Sequence, residues 1–420
     1  MDNEVAFRNS YAARAEHFVI GLMSGTSLDG VDAALVSILT SPDAALASVR
    51  LIAHAALPYS SELRTLLARL CSPQTARIDD LTYVHFGLSE WYARAVTLVM
   101  EKARSAAPRV DAISMHGQTV WHAPTPRPFP GPGGEIEVTG TLQLGSPAVV
   151  RERTGIPVIS DLRSRDMAAG GEGAPLAPYI DALLFGSPAE GRIVQNVGGI
   201  GNATVVPAGA AAGEAAGPEA AAREGAGVFA FDTGPGNMVM DGVVAAGTAG
   251  FEQYDPDGTY AARGRVDSAE VTRLMRDPWF ARKPPKSTGR EVYGAAFVDA
   301  FRRDSAARGL SFEDQVATAT AFTAESISAA YRDFVFPGVK VATVIVAGGG
   351  AKNPTLLRML RERMPAGVSV TTSAALGVPD LAREAMAFAV LGHESLMGRP
   401  GNLPAVTGAR SPVVLGSITL

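Results

Sequence analysis

Three segments of this chain share one grammar, an apolar run that stops at glycines and small polar residues and then resumes. That repetition restricts the fold more than any other feature. The first is Phe18 to Val36, FVIGLMSGTSLDGVDAALV. Val19, Ile20 and Leu22 read as one strand and Val31, Ala33, Leu35 and Val36 as the next, with Ser24, Gly25, Thr26 and Ser27 presenting hydroxyls and backbone N–H groups at the tip. Gly25 and Gly30 let the backbone turn and approach a ligand with no Cβ in the way. The second segment, Ile193 to Val205, sets Gly198, Gly199 and Gly201 between two strands. The third, Val344 to Leu357, runs a strand into Gly348, Gly349 and Gly350 and then a Pro-containing helix start, whose N-terminus suits a phosphate. Single tips of this composition also occur as plain surface turns. Three in one chain imply two similar lobes closing on one nucleotide.

Composition narrows the alternatives. With 420 residues, 47% hydrophobic and 19% charged, the chain is long enough for two cored domains. No apolar run reaches membrane-spanning length. The opening MDNEVAFRNSYAARAEHF lacks the basic-then-apolar layout of a secretory signal, so export is not expected, and residues 1–16 read as a frayed tail. Cys71 is the only cysteine, which excludes an intrachain disulfide framework and a thiolate metal cluster, and its apolar surroundings make it a packed helix residue. A net charge of −5 provides no general field for nucleic acid. Any anionic substrate must be held by local cations.

Along the chain the pattern alternates between helix and strand. Ser61 to Leu70 and Leu81 to Lys102 have helical periodicity, the latter with Leu81, Val84, Leu88, Trp91, Tyr92, Ala95 and Leu98 on one face and His85 among the solvated positions. Val110 to Met115 reads as a short strand delivering the loop HGQTVWH, and Ile156 to Asp161 as another delivering LRSRDMAAGGEG and then a helix, Ala177 to Gly186. Asp181, early in that helix beside Ile180, Leu183 and Leu184, reads either as a partly desolvated base or as an acid complementing the helix dipole. The Ala/Gly/Glu-rich run between Pro207 and Val228 reads as an expanded hairpin loop. The Asp-Thr-Gly in FAFDTGPGNMVMDG has no second copy, which excludes an aspartic protease, since two such carboxylates must share a proton. Asp232 is better used near a metal-bound phosphate, with Gly234, Gly236 and Asn237 as a close-approach loop. KPPKSTGREVY reads as an anion clamp through Lys286 and Arg290 or as a solvated loop. Phe312 to Tyr331 and Leu381 to Gly392 close the chain as helices.

Taken in order, MSGTSLDGVDAAL, HGQTVWH, GEGAPLAPYID, QNVGGIGNAT, FDTGPGN, KSTGREVYG and VAGGGAKNPTL resemble the anhydro-N-acetylmuramic acid kinases of bacterial cell-wall recycling. The resemblance implies an α/β fold of the sugar kinase, actin and Hsp70 ATPase superfamily, with two ribonuclease-H-like lobes around a central ATP-binding cleft. Residues 17–188 plus 385–420 would form the first lobe, on the sugar and phosphate side. Residues 189–384 would form the second, on the nucleotide side, with a low-complexity loop at 208–227. It also implies ATP and Mg²⁺ as cofactors, and a cytoplasmic homodimer acting on a small sugar with no nucleic-acid or membrane partner.

Carried over by position, Gly25, Thr26, Ser27, Leu28, Asp29, Gly30, Val31 and Asp32 would meet the ATP phosphates. Asn196, Gly198, Gly199, Gly201 and Asn202 would form the second phosphate hairpin, and Gly348, Gly349, Gly350 and Asn353 would approach the adenosine. The family's base falls on Asp181. Where the wider superfamily has an Asp just before the first tip, this chain has Met23 and Ser24, so the metal passes to Asp29, Asp32 or Asp232, through water. His116, Gln118, Asp161 and Arg163, at strand ends of the first lobe, are the candidate sugar contacts, and Arg163 or the Lys286/Arg290 loop is set against the lactyl carboxylate. The implied reaction adds water at C1 of 1,6-anhydro-N-acetylmuramic acid while the released O6 accepts the γ-phosphoryl group. Its rivals are an ordinary sugar or acyl kinase on the same fold and a nucleotide-driven scaffold of the actin and Hsp70 type.

Overall fold

The computed structural model describes residues 2–40, 46–104, 109–210 and 227–420, so most of the expected low-complexity loop lies outside the described residues. Two compact units emerge. One comprises the chain up to Leu184 together with Gly377–Leu420, and the other the described residues between Phe185 and Leu376.

In the first unit β1 (Glu16–Ser24) and β2 (Gly30–Thr40) form the expected hairpin, Leu22 opposite Ala33 and Met23 opposite Asp32. On the far side of β2, β3 (Leu46–Pro58) continues the antiparallel meander, while β4 (Ala112–Gly131) lies parallel to β1. β5 (Gly134–Leu144) folds back on β4 alone, and β6 (Val158–Ser160) runs parallel to β4. The second unit repeats the plan. β7 (Gly191–Val197), β8 (Ile200–Val206) and β9 (Phe229–Pro235) form an antiparallel meander, β10 (Val341–Ala347) joins β7 in parallel, and β11 (Ser369–Thr372) joins β10. Back in the first sheet, β12 (Ser417–Thr419) closes against β6. Each sheet is therefore a three-stranded meander whose first strand takes parallel strands on its other edge. This is the ribonuclease-H-like arrangement, present twice.

Alternation along β1 explains its two buried faces. Ile20 and Leu22 share a core with Leu35 and with Val84, Leu88, Tyr92 and Val96 of the helix Ile78–Ala103. Gly21 points the other way. A Cβ there would fall 1.8 Å from the Ala385 carbonyl oxygen, because the helix Asp380–Leu396 lies backbone against backbone on the strand. Gly392 of the same helix packs on the Ser114 side chain of β4, where a Cβ would fall 2.4 Å from Ser114 Cβ.

Several local expectations give way to packing. Residues expected as a tail form the helix Asp2–Ala12, and Tyr11 is buried with its hydroxyl 2.8 Å from Nδ1 of His393. HGQTVWH is not a loop but the middle of β4, because β5 supplies a hydrogen-bonding partner along it, Gln118 opposite Leu144. His85 is not solvated. It is half-buried, its Nδ1 accepts from the Gly145 N–H at 3.2 Å and its carbonyl accepts from the Ser146 N–H. Cys71 is the C-cap of Ser61–Leu70, with burial pushing its thiol up.

Candidate active site

In the first unit the tip between β1 and β2 is Gly25 to Asp29, with Thr26, Ser27 and Asp29 exposed. Leu28 takes φ 57°, a left-handed turn position, and its N–H bonds the Gly25 carbonyl. The tip rests on a buried chain of hydroxyls, in which Tyr59 donates to Ser24 Oγ at 2.9 Å and Ser24 to the Tyr92 hydroxyl at 3.0 Å. Gln118 is fully buried and donates Nε2 to the Gly25 carbonyl at 3.0 Å. The structure thus ties Gln118 to the hairpin. Gly30 and Val31 begin β2, and Asp32, next along it, pairs with His54 Nε2 at 2.9 Å.

Asp161 follows β6 with φ 57°, an uncommon conformation for a non-glycine residue, and accepts from the Ser164 hydroxyl. Arg163 donates Nε to His116 Nε2 at 2.9 Å and Nη1 to the Gly173 carbonyl at 2.7 Å. Arginine only donates, so His116 Nε2 carries the lone pair in this bond. Burial, with Arg163 adding to it, lowers the His116 pKa to about 3, which keeps the ring neutral. Asp166, missed by sequence reasoning, organises the following turn. It is fully buried and accepts from Gly173 N–H, Asn402 Nδ2 and Thr407 Oγ1 at 2.8, 2.6 and 2.7 Å.

Asp181 lies on the helix Ala177–Phe185, buried, but as its fifth residue rather than in its first turn, so the dipole-complementing role does not apply. Its partner is Arg383, on the helix Asp380–Leu396, whose Nη2 bonds Asp181 Oδ1. No local signal marked Arg383, which is 202 positions away in sequence. Glu384 beside it joins these groups electrostatically. Desolvation pushes its carboxyl up, Arg383 pulls it down, Asp32 pushes it up, Arg163 lowers it and Asp29 raises it.

The second unit brings its glycine motifs together. The tip after Asn196, at Gly198 and Gly199, accepts backbone bonds from Gly236, Asn237 and Met238, and the Asn237 side chain donates to the Val197 carbonyl at 3.0 Å. A Cβ on Gly236 would sit 2.2 Å from the Gly198 carbonyl oxygen, one on Gly350 2.5 Å from Val197 Cγ1, and one on Gly348 2.7 Å from Asn196 Oδ1. Only glycine allows strands this close. Gly201 and Asn202 continue in β8, with Asn202 opposite Asp232 and Gly201 opposite Gly234. Gly349 is exposed, and Asn353 caps the helix Pro354–Arg363 by accepting from Leu356 N–H. Asp232 accepts from Thr288 N–H at 2.9 Å, and desolvation pushes its carboxyl up.

Lys286 is not presented as an anion clamp. Its ammonium is buried, donates to the Phe280 carbonyl at 3.0 Å and lies 4.4 and 4.7 Å from the ring centroids of Trp279 and Phe334, and burial lowers it to about 8. Its loop serves Asp232 instead, since Asp232 N–H donates to the Lys286 carbonyl.

Among the described residues no group of three His, Cys, Asp or Glu side chains gathers to hold a metal.

A family model described as anhydro-N-acetylmuramic acid kinase matches residues 17–420. The chain belongs to that family. The anhydro-N-acetylmuramic acid kinase of Caldanaerobacter subterraneus subsp. tengcongensis is 41% identical over 97% of this chain and 98% of that protein. The Salinibacter ruber protein of the same description is 42% identical over 97% of each. Among solved structures, a ligand-bound xylulose kinase from Lactobacillus acidophilus aligns with 96% of this chain and 93% of that one, at 10% identity and a TM-score of 0.43. Kinase membership carries ATP use with it, and no helix among the described residues is long and apolar enough to cross a membrane.

Proposed function

We propose that this chain uses ATP to open the 1,6-anhydro ring of 1,6-anhydro-N-acetylmuramic acid and phosphorylate O6, giving N-acetylmuramic acid 6-phosphate and ADP. The observation that carries this reading is the family match over residues 17–420. Asp181 is the base. It takes a proton from water as the water oxygen bonds to C1, the C1–O6 bond breaks, and O6 bonds to the γ-phosphorus as ADP leaves. No separate acid is needed at O6, since phosphorus replaces the proton it would otherwise require. Burial of Asp181 against Arg383 supports the assignment, since a base on a packed helix keeps a fixed direction.

Gly25 to Asp32 in the first unit, and Asn196 to Asn202 with Gly234, Gly236 and Asn237 in the second, are the phosphate contacts in this reading. Gly348 to Gly350 and Asn353 take the adenosine. Mg²⁺, reached through water from Asp29, Asp32 or Asp232, would supply charge neutralisation on the phosphates. Arg163, held in place by His116, faces the lactyl carboxylate, with Asp161 and Gln118 nearer the sugar and the hairpin. The first unit is thus the sugar and phosphate side and the second the nucleotide side. We assign the chain to the cytoplasm as a homodimer, with a small-molecule substrate and neither nucleic-acid nor membrane partners.

The test is turnover in ¹⁸O water with purified 1,6-anhydro-N-acetylmuramic acid, quenched early. One solvent oxygen at C1 per phosphate transferred is expected, and Asp181→Asn should lower kcat by about 10² or more while ATP affinity stays within a few-fold. Phosphorylation without solvent oxygen at C1 would refute the ring-opening route, and near-normal turnover of Asp181→Asn would reassign the base.

A further inference from the structure

The guanidinium beside Asp181 is not a surface ion pair. Side-chain exposure is 10% for Arg383 and 4% for Asp181, and both residues belong to the first unit. Arginine offers donors in a rigid planar fork. Nη2 is spent on Asp181 Oδ1, yet Nε is buried and meets no acceptor among the described residues. A buried N–H without an acceptor is costly to keep, so an oxygen that arrives with the ligand is the group it lacks. The fork is also aimed by a rigid element. The helix Asp380–Leu396 is seated on β1 through the Gly21 contact with Ala385 and Ala389 and on β4 through Gly392 and Ser114, which leaves no room for it to slide.

We propose that Arg383 is the positioning residue of the hydrolytic half-reaction: its Nη2 fixes the Asp181 carboxylate and its Nε–H directs the oxygen of the water that Asp181 deprotonates. The inference rests on Asp181 being the base. It assigns a task to a residue whose own neighbourhood in sequence, LAREAMAFAV, reads only as an apolar helix. Carboxylate and water are then aligned by one side chain, so base and nucleophile keep a single geometry as the sugar binds. Lysine cannot replace this fork, since a point charge holds one partner without orienting the second.

The experiment compares wild type, Asp181→Asn, Arg383→Lys, Arg383→Gln and Asp181→Asn/Arg383→Gln in steady-state assays with 1,6-anhydro-N-acetylmuramic acid and ATP. Arg383→Lys should lower kcat by about 10²-fold, the scale of a roughly 1 Å misplacement of reacting groups. KM for ATP should stay within about threefold, because only transition-state alignment is lost. Arg383→Gln should be slower still. The double variant should be no slower than Asp181→Asn by more than about twofold, as expected of residues that act as a unit. If Arg383→Gln alone does not fold, Arg383→Lys and the double variant, which leaves no unpaired buried charge, still decide. Full kcat in Arg383→Lys, or independent additive losses in the double variant, would overturn the proposal while leaving Asp181 as base. A wild-type protein inactive on the anhydro-sugar would instead remove the functional reading itself.

Discussion

Acidifying this protein from pH 7.5 to pH 5 should cost about 2 kcal/mol of stability through His393 alone, and His393→Gln should abolish that share. His393 is fully buried, 4.9 Å from the His17 ring and bonded through Nδ1 to the Tyr11 hydroxyl. Burial first, then His17 and Arg399, lowers its pKa from 6.5 to about 2. The unfolded chain therefore binds the proton first, and stability falls as pH drops through the ordinary histidine range, continuing until the folded pKa is reached. At pH 5 an ordinary histidine is almost wholly protonated while the folded one is neutral. The difference in proton binding between pH 7.5 and 5 amounts to about 1.5 pH units, or about 2 kcal/mol at roughly 1.4 kcal/mol per unit. Urea unfolding of wild type and His393→Gln at both pH values measures it. Burial also lowers His17, so a residual slope of the same sign remains in the variant. Equal acid losses in the two proteins would refute the reasoning, because the buried neutral ring would then not be the group that resists protonation.

The seat of the helix Asp380–Leu396 offers a second check. Gly21→Ala places a Cβ 1.8 Å from a backbone oxygen, so it should cost about 3 kcal/mol or more, whereas Gly87→Ala, with nothing within 4 Å, should gain about 0.5–1 kcal/mol of helix propensity. Thermal melts of both would show whether the contact is as tight as described. Arg163→Ala should raise KM for the sugar about 10–100-fold, the worth of a charge-assisted hydrogen bond, with KM for ATP unmoved. An unchanged sugar KM would detach Arg163 from the lactyl carboxylate.

What could be read in advance was what local backbone chemistry dictates. Strand, glycine tip and strand follow from apolar alternation and from positions that exclude a Cβ, so both glycine-tipped hairpins and the Gly348 turn were legible. So was the helix bearing Asp181, from its apolar run, and it starts at Ala177 as expected, although Asp181 as its fifth residue lies beyond the first turn that the dipole reading required. The middle of β4 was not legible, because His116 to His122 has mixed polarity and becomes strand only when β5 pairs with it. Lys286 looked like a surface cation because nothing nearby announces that Trp279 and Phe334 will enclose it. Arg383 is the extreme case. A buried charge is tolerated only when a partner meets it, and here that partner lies 202 positions away. Sequence by itself determined the repeated strand-and-glycine plan and the family. Only the tertiary structure decided which charges are paired, which histidines stay neutral and which residue meets Asp181, because those depend on contacts between segments that no local pattern encodes.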